Sequence, residues 1–118
     1  MSPDGLKEIK KLTNQTNIGI YTICADYLME CPLHSADKLI AAKAQKILLK
    51  LLKASAELGV TDVVIPCVDH SSIKDIDERN RLVSRIKEIQ PVLEELRINL
   101  ALETDLDPHS FTDLINSI

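Results

Sequence analysis

Residues 97–108 read RINLALETDLDP, from Arg97 to Pro108. Alternation along an extended chain sends Ile98, Leu100 and Leu102 to one side and Asn99, Ala101 and Glu103 to the other. The first set is apolar and the second small or polar. The pattern predicts a short buried strand, Ile98 to Leu102, that delivers a carboxylate, Glu103, and then an acidic loop with Asp105 and Asp107. A core strand ending in a carboxylate on its polar side is where a β/α protein places a metal ligand or a general base.

Upstream, Asp77 is expected to cap a helix over 78–96 whose stripe is Leu82, Ile86, Ile89, Leu93 and Leu96. Pro91 inside it should kink or split it, because proline removes a donor and clashes one turn back. Val60–Val68 (VTDVVIPCV) reads as a second buried strand, with Val63, Ile65 and Cys67 on one face and Pro66 stopping further pairing. Asp69, His70, Ser71 and Ser72 follow it directly. The strongest helix is Lys38–Leu58, with Ile40, Ala44, Ile47, Leu48, Leu51, Ala54 and Leu58 as its apolar stripe and Lys43, Lys46, Lys50, Lys53 and Glu57 opposite. Gly59 closes it. The lysine row reads as a solvated face rather than a phosphate patch.

Further upstream, Ile18–Cys24 (IGIYTIC) is β-branched, short and bounded by turn residues, which predicts a strand. The long connection Ala25–Asp37 after it carries Asp26, Tyr27, Glu30 and His34, and long ordered loops in such proteins are commonly functional. Ser2-Pro3-Asp4 starts a first helix with Leu6, Ile9 and Leu12 at helical spacing, fading at 13–17. Downstream of the opening stretch, Pro108 starts a last helix with Phe111, Leu114, Ile115 and Ile118 on its apolar side. The order is α-β-α-β-α-β-α. It predicts an α/β fold in one domain over 1–118, with right-handed crossovers and a parallel sheet.

Composition narrows the function classes. The chain has 118 residues, a formal net charge of −4, 3% aromatics and no Trp. This weighs against a nucleic-acid surface, which is normally basic and supplied with stacking rings. No apolar run reaches membrane-spanning length, and the N-terminus lacks the apolar segment of a signal peptide. Cys24, Cys31 and Cys67 form no disulfide framework, so reduced thiols and a cytoplasmic location are expected.

In a parallel sheet all C-terminal strand ends share one rim, where ligand sites form. That rim gathers Cys24 and Asp26, then Cys67, Asp69 and His70, then Glu103 and Asp105. Acids from three strand ends suggest a divalent cation. The two thiols at strand ends are read as small buried groups, since no Cys-x-x-Cys spacing supports a soft-metal site. Asp26 and Tyr27 either line a polyol pocket or form a capped loop with Tyr27 packed inward. His34 and His109 have no supporting constellation and are read as exposed. No glycine-rich phosphate loop and no nucleophile elbow occur.

The stretches IGIYTICADYLMECPL, ELGVTDVVIPCVDHSS and RINLALETDLDPHSFTDLI, in that order, resemble the xylose isomerase-like barrel superfamily, in particular sugar phosphate isomerase/epimerase proteins. The resemblance implies a (β/α) TIM barrel and a divalent metal (Mn, Mg, Co or Zn) held by two glutamates, an aspartate and a histidine. It also implies proton transfer beside the carbonyl of a sugar or sugar phosphate. Glu103 matches the first glutamate, as metal ligand and catalytic residue; Asp26, Asp69 and His70 are candidate substrate contacts. A full barrel has about 250 residues. The three strands here resemble its third to fifth, and the other ligands of the family fall on later strands. The expectation is therefore a partial barrel, an incomplete active site, and a fragment that forms homo-oligomers. A non-catalytic self-assembling partial barrel is the alternative. An abasic-site endonuclease-like barrel is disfavoured by the negative charge.

Overall fold

The computed structural model describes all 118 residues. Their order is α1 (Pro3–Thr16), β1 (Thr22–Cys24), α2 (Tyr27–Glu30), α3 (Lys38–Leu58), β2 (Asp62–Cys67), α4 (Ile76–Leu96), β3 (Asn99–Thr104) and α5 (Pro108–Asn116). The strands form one parallel sheet in the order β1-β2-β3. The three expected strands and four expected helices are present. The fifth helix, α2, is a single turn within the long connection 25–37.

Helix ends follow the local chemistry. The Ser2 side chain accepts from Gly5 N, and Asn17 ends α1 in the left-handed conformation. Asp37 accepts from Leu39 N and Ile40 N at the start of α3, and Gly59 ends it at φ 78°. At α4 the cap is Asp75, not Asp77: its carboxylate accepts from Glu78 N, and Glu78 in turn accepts from Lys74 N. The helix so begins two residues earlier than the sequence suggests. Pro91 does not split α4, which runs unbroken to Leu96. Pro91 is exposed, so the carbonyl it leaves without a helix donor can be hydrated.

The helices cover one sheet face. Val63, Ile65 and Cys67 of β2 are 0–1% exposed and pack with Leu48 and Leu52 of α3, Leu82, Ile86 and Ile89 of α4, and Leu114 of α5. The buried line of α3 is Ala41, Ala44, Leu48, Leu52 and Ser55, rotated from the expected one; Ile40 is 37% exposed. Leu48 and Leu52 on this line are fully buried and fill the space between the helix and the sheet.

β1 is only three residues long; Ile18 to Tyr21 lead into it without strand geometry. Pro66 lies inside β2. It ends pairing on the β1 side, where the ladder stops at Val64, while β3 stays paired through Cys67 and Thr104. The missing proline donor faces the side on which β1 has already ended. β3 is less buried than expected: Asn99, Ala101 and Glu103 are exposed and alternate with half-buried Leu100, Leu102 and Thr104. No helix is long and apolar enough to cross a membrane.

Candidate functional site

The uncovered sheet face carries the candidate chemistry. Register partners in a parallel ladder point to the same face. The ladder aligns Thr22, Asp62 and Asn99 in one row, Cys24, Val64 and Ala101 in the next, and Pro66 with Glu103 in the third. In the first row, Asn99 Nδ2 donates to Asp62 Oδ1 at 3.1 Å and Thr61 Oγ1 donates to Asp62 Oδ2 at 2.5 Å. Those two hydrogen bonds, the threonine's first, hold the Asp62 carboxyl below its ordinary range. Asp62 was not singled out from the sequence, although period-two alternation against Val63, Ile65 and Cys67 assigns it to this face.

Glu103 stands in the top row. The four ion pairs of the chain join Lys10 to Glu57, His70 to Glu30, Arg85 to Glu88 and His109 to Asp113, and none reaches Glu103. On the same rim, burial pushes the Cys24 thiol up to about 11, helped by the neighbouring Asp26 carboxylate and by the charge of Glu103. Cys24 is exposed, a correction to its reading as a buried thiol. The register points it to the open face, whereas Cys67 points to the helices, is 1% exposed and is raised to about 12 by burial and then by Asp105. At neutral pH the Cys24 thiol is protonated, so it serves as a weak hydrogen-bond donor and not as a nucleophile.

The structure sets Cys24 beside Asp26 on the rim that Glu103 also borders; Asp69 and His70 follow a different course. His70 Nε2 lies 3.1 Å from Glu30 Oε1, both side chains being more than half exposed. This pair fastens the loop after β2 to α2. Asp69 begins a 3-10 turn over Asp69–Ser71 at φ 53° and is exposed. The turn is anchored by buried Ser71, whose Oγ lies 2.9 Å from Val68 O and accepts from Val68 N at 3.2 Å.

The other acids of the opening stretch are engaged. Ser72 Oγ donates to the Asp105 carboxylate. Asp107 caps α5, accepting from His109 N at 3.0 Å, Ser110 N at 3.1 Å and Ser110 Oγ at 2.6 Å. Its carboxyl is lowered chiefly by those Ser110 bonds.

Loop residues 26–34 correct two further readings. Tyr27 does not pack inward: it is 48% exposed, its ring lies 5.7 Å from Lys43 Nζ, and Leu28 fills the inward position; with Asp26 and Lys50 it lines a mostly apolar cavity of about 520 Å³. His34 is 4% exposed, contrary to expectation, with its Nδ1 unpartnered and its carbonyl accepting from Arg81 Nε at 2.8 Å. Burial lowers its pKa. His109 is exposed as expected.

No three His, Cys, Asp or Glu side chains converge to hold a metal ion. Glu103 is one oxygen donor, and the Cys24 thiol is a soft donor poorly matched to a cation that prefers oxygen ligands. The residues present do not fit a divalent cation centre of the expected kind, which needs several oxygen or imidazole donors on one point.

Two comparisons bear on these features. No curated protein matches the chain. The family model described as xylose isomerase-like TIM barrel matches residues 1–118. It agrees with the parallel strand order and the alternation of strands and helices. The chain belongs to the xylose isomerase-like TIM barrel family.

Proposed function

We propose that this chain is a segment of a sugar or sugar-phosphate isomerase/epimerase barrel, that Glu103 is its proton-transfer carboxylate, and that the segment does not turn over alone. The observation that carries the reading is the position of Glu103. It is exposed on the uncovered face at the C-terminal rim, free of ion pairs, and beside a thiol held protonated. An unpaired carboxylate can take a proton from a carbon next to a carbonyl and return it. The Cys24 thiol can donate a hydrogen bond to an oxygen that gains charge as that proton leaves. Asp26 borders the same rim and offers hydrogen bonds to sugar hydroxyls. In enzymes of this type a divalent metal supplies positive charge at that oxygen; this chain provides Glu103 toward it and no converging set of further ligands.

The test is loss of the proton beside the carbonyl of a ketose or ketose phosphate in D2O, followed by NMR, with and without added Mn²⁺ or Co²⁺. The expected result for the isolated chain is no exchange above background. Exchange that vanishes in Glu103→Gln overturns the inactivity and keeps the role of Glu103. Exchange that persists in that variant overturns the role.

A further inference from the structure

His34 is a buried ionisable side chain that the proposed chemistry does not use. It is 4% exposed, and its Nδ1 has no hydrogen-bond partner. It sits in the connection between β1 and α3 and meets the loop between β2 and α4, where the backbone of Ser71 and of Ser72 faces its ring. Two charged side chains act on it, Glu78 and Arg81, both from α4. Arg81 Nε donates to the His34 carbonyl at 2.8 Å, which fixes a cation beside the ring. Glu78 carries the opposite charge, and one of its oxygens already accepts from Lys74 N at 2.7 Å.

His34 stands at the start of a chain of ties between three rim loops. The β1–α3 connection meets the β2–α4 loop through His34 and through the pair of Glu30 with His70. The β2–α4 loop in turn meets the β3–α5 loop through Ser72 Oγ, which donates to Asp105. The two sides of the His34 junction are anchored unequally. On its own side Leu28, Cys31 and Leu33 are 2–5% exposed. On the other side, Ser71 and Ile73 are the buried residues between Asp69 and Asp75. Less apolar surface holds the β2–α4 loop, so that loop is the side that moves when the junction opens.

Protonation of His34 acts on this junction directly. Burial disfavours the imidazolium, and Arg81 adds repulsion that Glu78 opposes. The cation is accommodated once the ring reaches water, which requires the loop to lift from it. His70 acts in the opposite sense, because its pair with Glu30 is ionic only when the imidazole is protonated. Both of those side chains are more than half exposed, so this tie is weak.

We infer that His34 is a pH-sensitive latch on the rim: neutral, it holds the β2–α4 loop closed over itself, and protonated, it releases residues 69–75 without unfolding the sheet and the long helices. Release of Ser72 also frees Asp105 at the end of β3. The latch does not depend on the role of Glu103 and survives its failure.

The test is residue-resolved amide hydrogen exchange at about pH 7.5 and about pH 5.5, with protection taken relative to the intrinsic rate at each pH. The reporters are the amides of Ser71, Ser72 and Lys74, which bond to Val68 O, Asp69 O and Glu78 Oε2. A ring that regains the ordinary value of 6.5 on release makes the open loop up to about tenfold more populated at the lower pH. The expected result is a loss of protection of that size at the three reporters. At both pH values they are less protected than Leu48 and Leu52 in the middle of α3, because the loop opens without the helix. In His34→Gln the loss is absent, and in His70→Gln it persists. Should His34→Gln lose its fold, NMR titration of the wild type replaces it, and the His34 ring and the three amides then share one midpoint. Reporter protection that is unchanged between the two pH values, that falls as much in His34→Gln, or that equals that of Leu48 and Leu52, overturns the proposal. So do different midpoints for the ring and the amides.

Discussion

Glu103 of β3 is the register partner of Pro66 of β2. That pairing puts the carboxylate over the uncovered face, beyond the level at which β1 has ended, with the buried side chain of Pro66 beside it as an apolar floor. A carboxylate so placed, with no ion pair and no hydrogen bond to another side chain, does not contribute to cohesion. Glu103→Gln is therefore expected to leave the thermal midpoint of the chain unchanged, measured by circular dichroism. A marked loss of stability would show that Glu103 holds the sheet together.

The cap of α4 gives a sharper structural test. Asp75→Ala removes the acceptor for Glu78 N and is expected to cost about 1 kcal/mol in urea unfolding. Asp77→Ala changes only an exposed acid in the first turn and is expected to cost less. The reverse order would restore Asp77 as the cap.

The face of α3 is tested by a pair of truncations. Leu52 is fully buried and Leu52→Ala is expected to destabilise by about 2–5 kcal/mol. Ile40, which the apolar stripe read from the sequence would bury, is 37% exposed, and Ile40→Ala is expected to cost about 0.5 kcal/mol or less. Equal losses at both positions would contradict the observed rotation of the helix.

His34 makes stability depend on pH. Its folded pKa lies below the ordinary 6.5 because burial disfavours the cation, with Glu78 opposing and Arg81 reinforcing the effect. The unfolded chain then binds a proton that the folded chain does not. The stability associated with His34 is intact above 6.5 and is lost as the pH falls from 6.5 toward the lowered folded value. Urea midpoints from about pH 7.5 to about pH 5.5 should fall in the wild type and fall less steeply in His34→Gln. Identical slopes would mean that His34 is solvated.

Cys24 is exposed yet raised to about 11. Its alkylation by iodoacetamide near pH 8 is expected to be slow, because little thiolate is present. Asp26→Asn removes a carboxylate that raises the thiol pKa, so it is expected to speed the reaction. An unchanged rate would show that Asp26 does not act on Cys24.

The parts of the fold that were legible in the sequence are those with one-sided burial or distinctive ends. The alternation of Ile98, Leu100 and Leu102 against Asn99, Ala101 and Glu103 was legible because helices cover only one face of β3. The limits of α3 were legible because Asp37 and Gly59 mark them chemically. Its buried line was not, because leucines and alanines occur almost all round the helix and neighbouring stripes score alike. Asp75 and Asp77 offer the same cap chemistry two residues apart, and the reciprocal bond from Lys74 N to Glu78 decides between them. His34 lies in a loop, where no periodicity reports burial. Of the candidate site, Glu103 and Asp26 follow from the strand-end rule, whereas the opposite orientations of Cys24 and Cys67 need the register.

The most direct test of the central claim, an open three-stranded parallel sheet that carries Glu103 between two unpaired edges, is residue-resolved amide hydrogen exchange. In the dilute chain the account predicts slow exchange at Asn99, Ala101 and Glu103, whose amides bond to β2. It predicts fast exchange at Leu100, Leu102 and Thr104, whose amides face away from β2. Equal protection along 99–104 would contradict it.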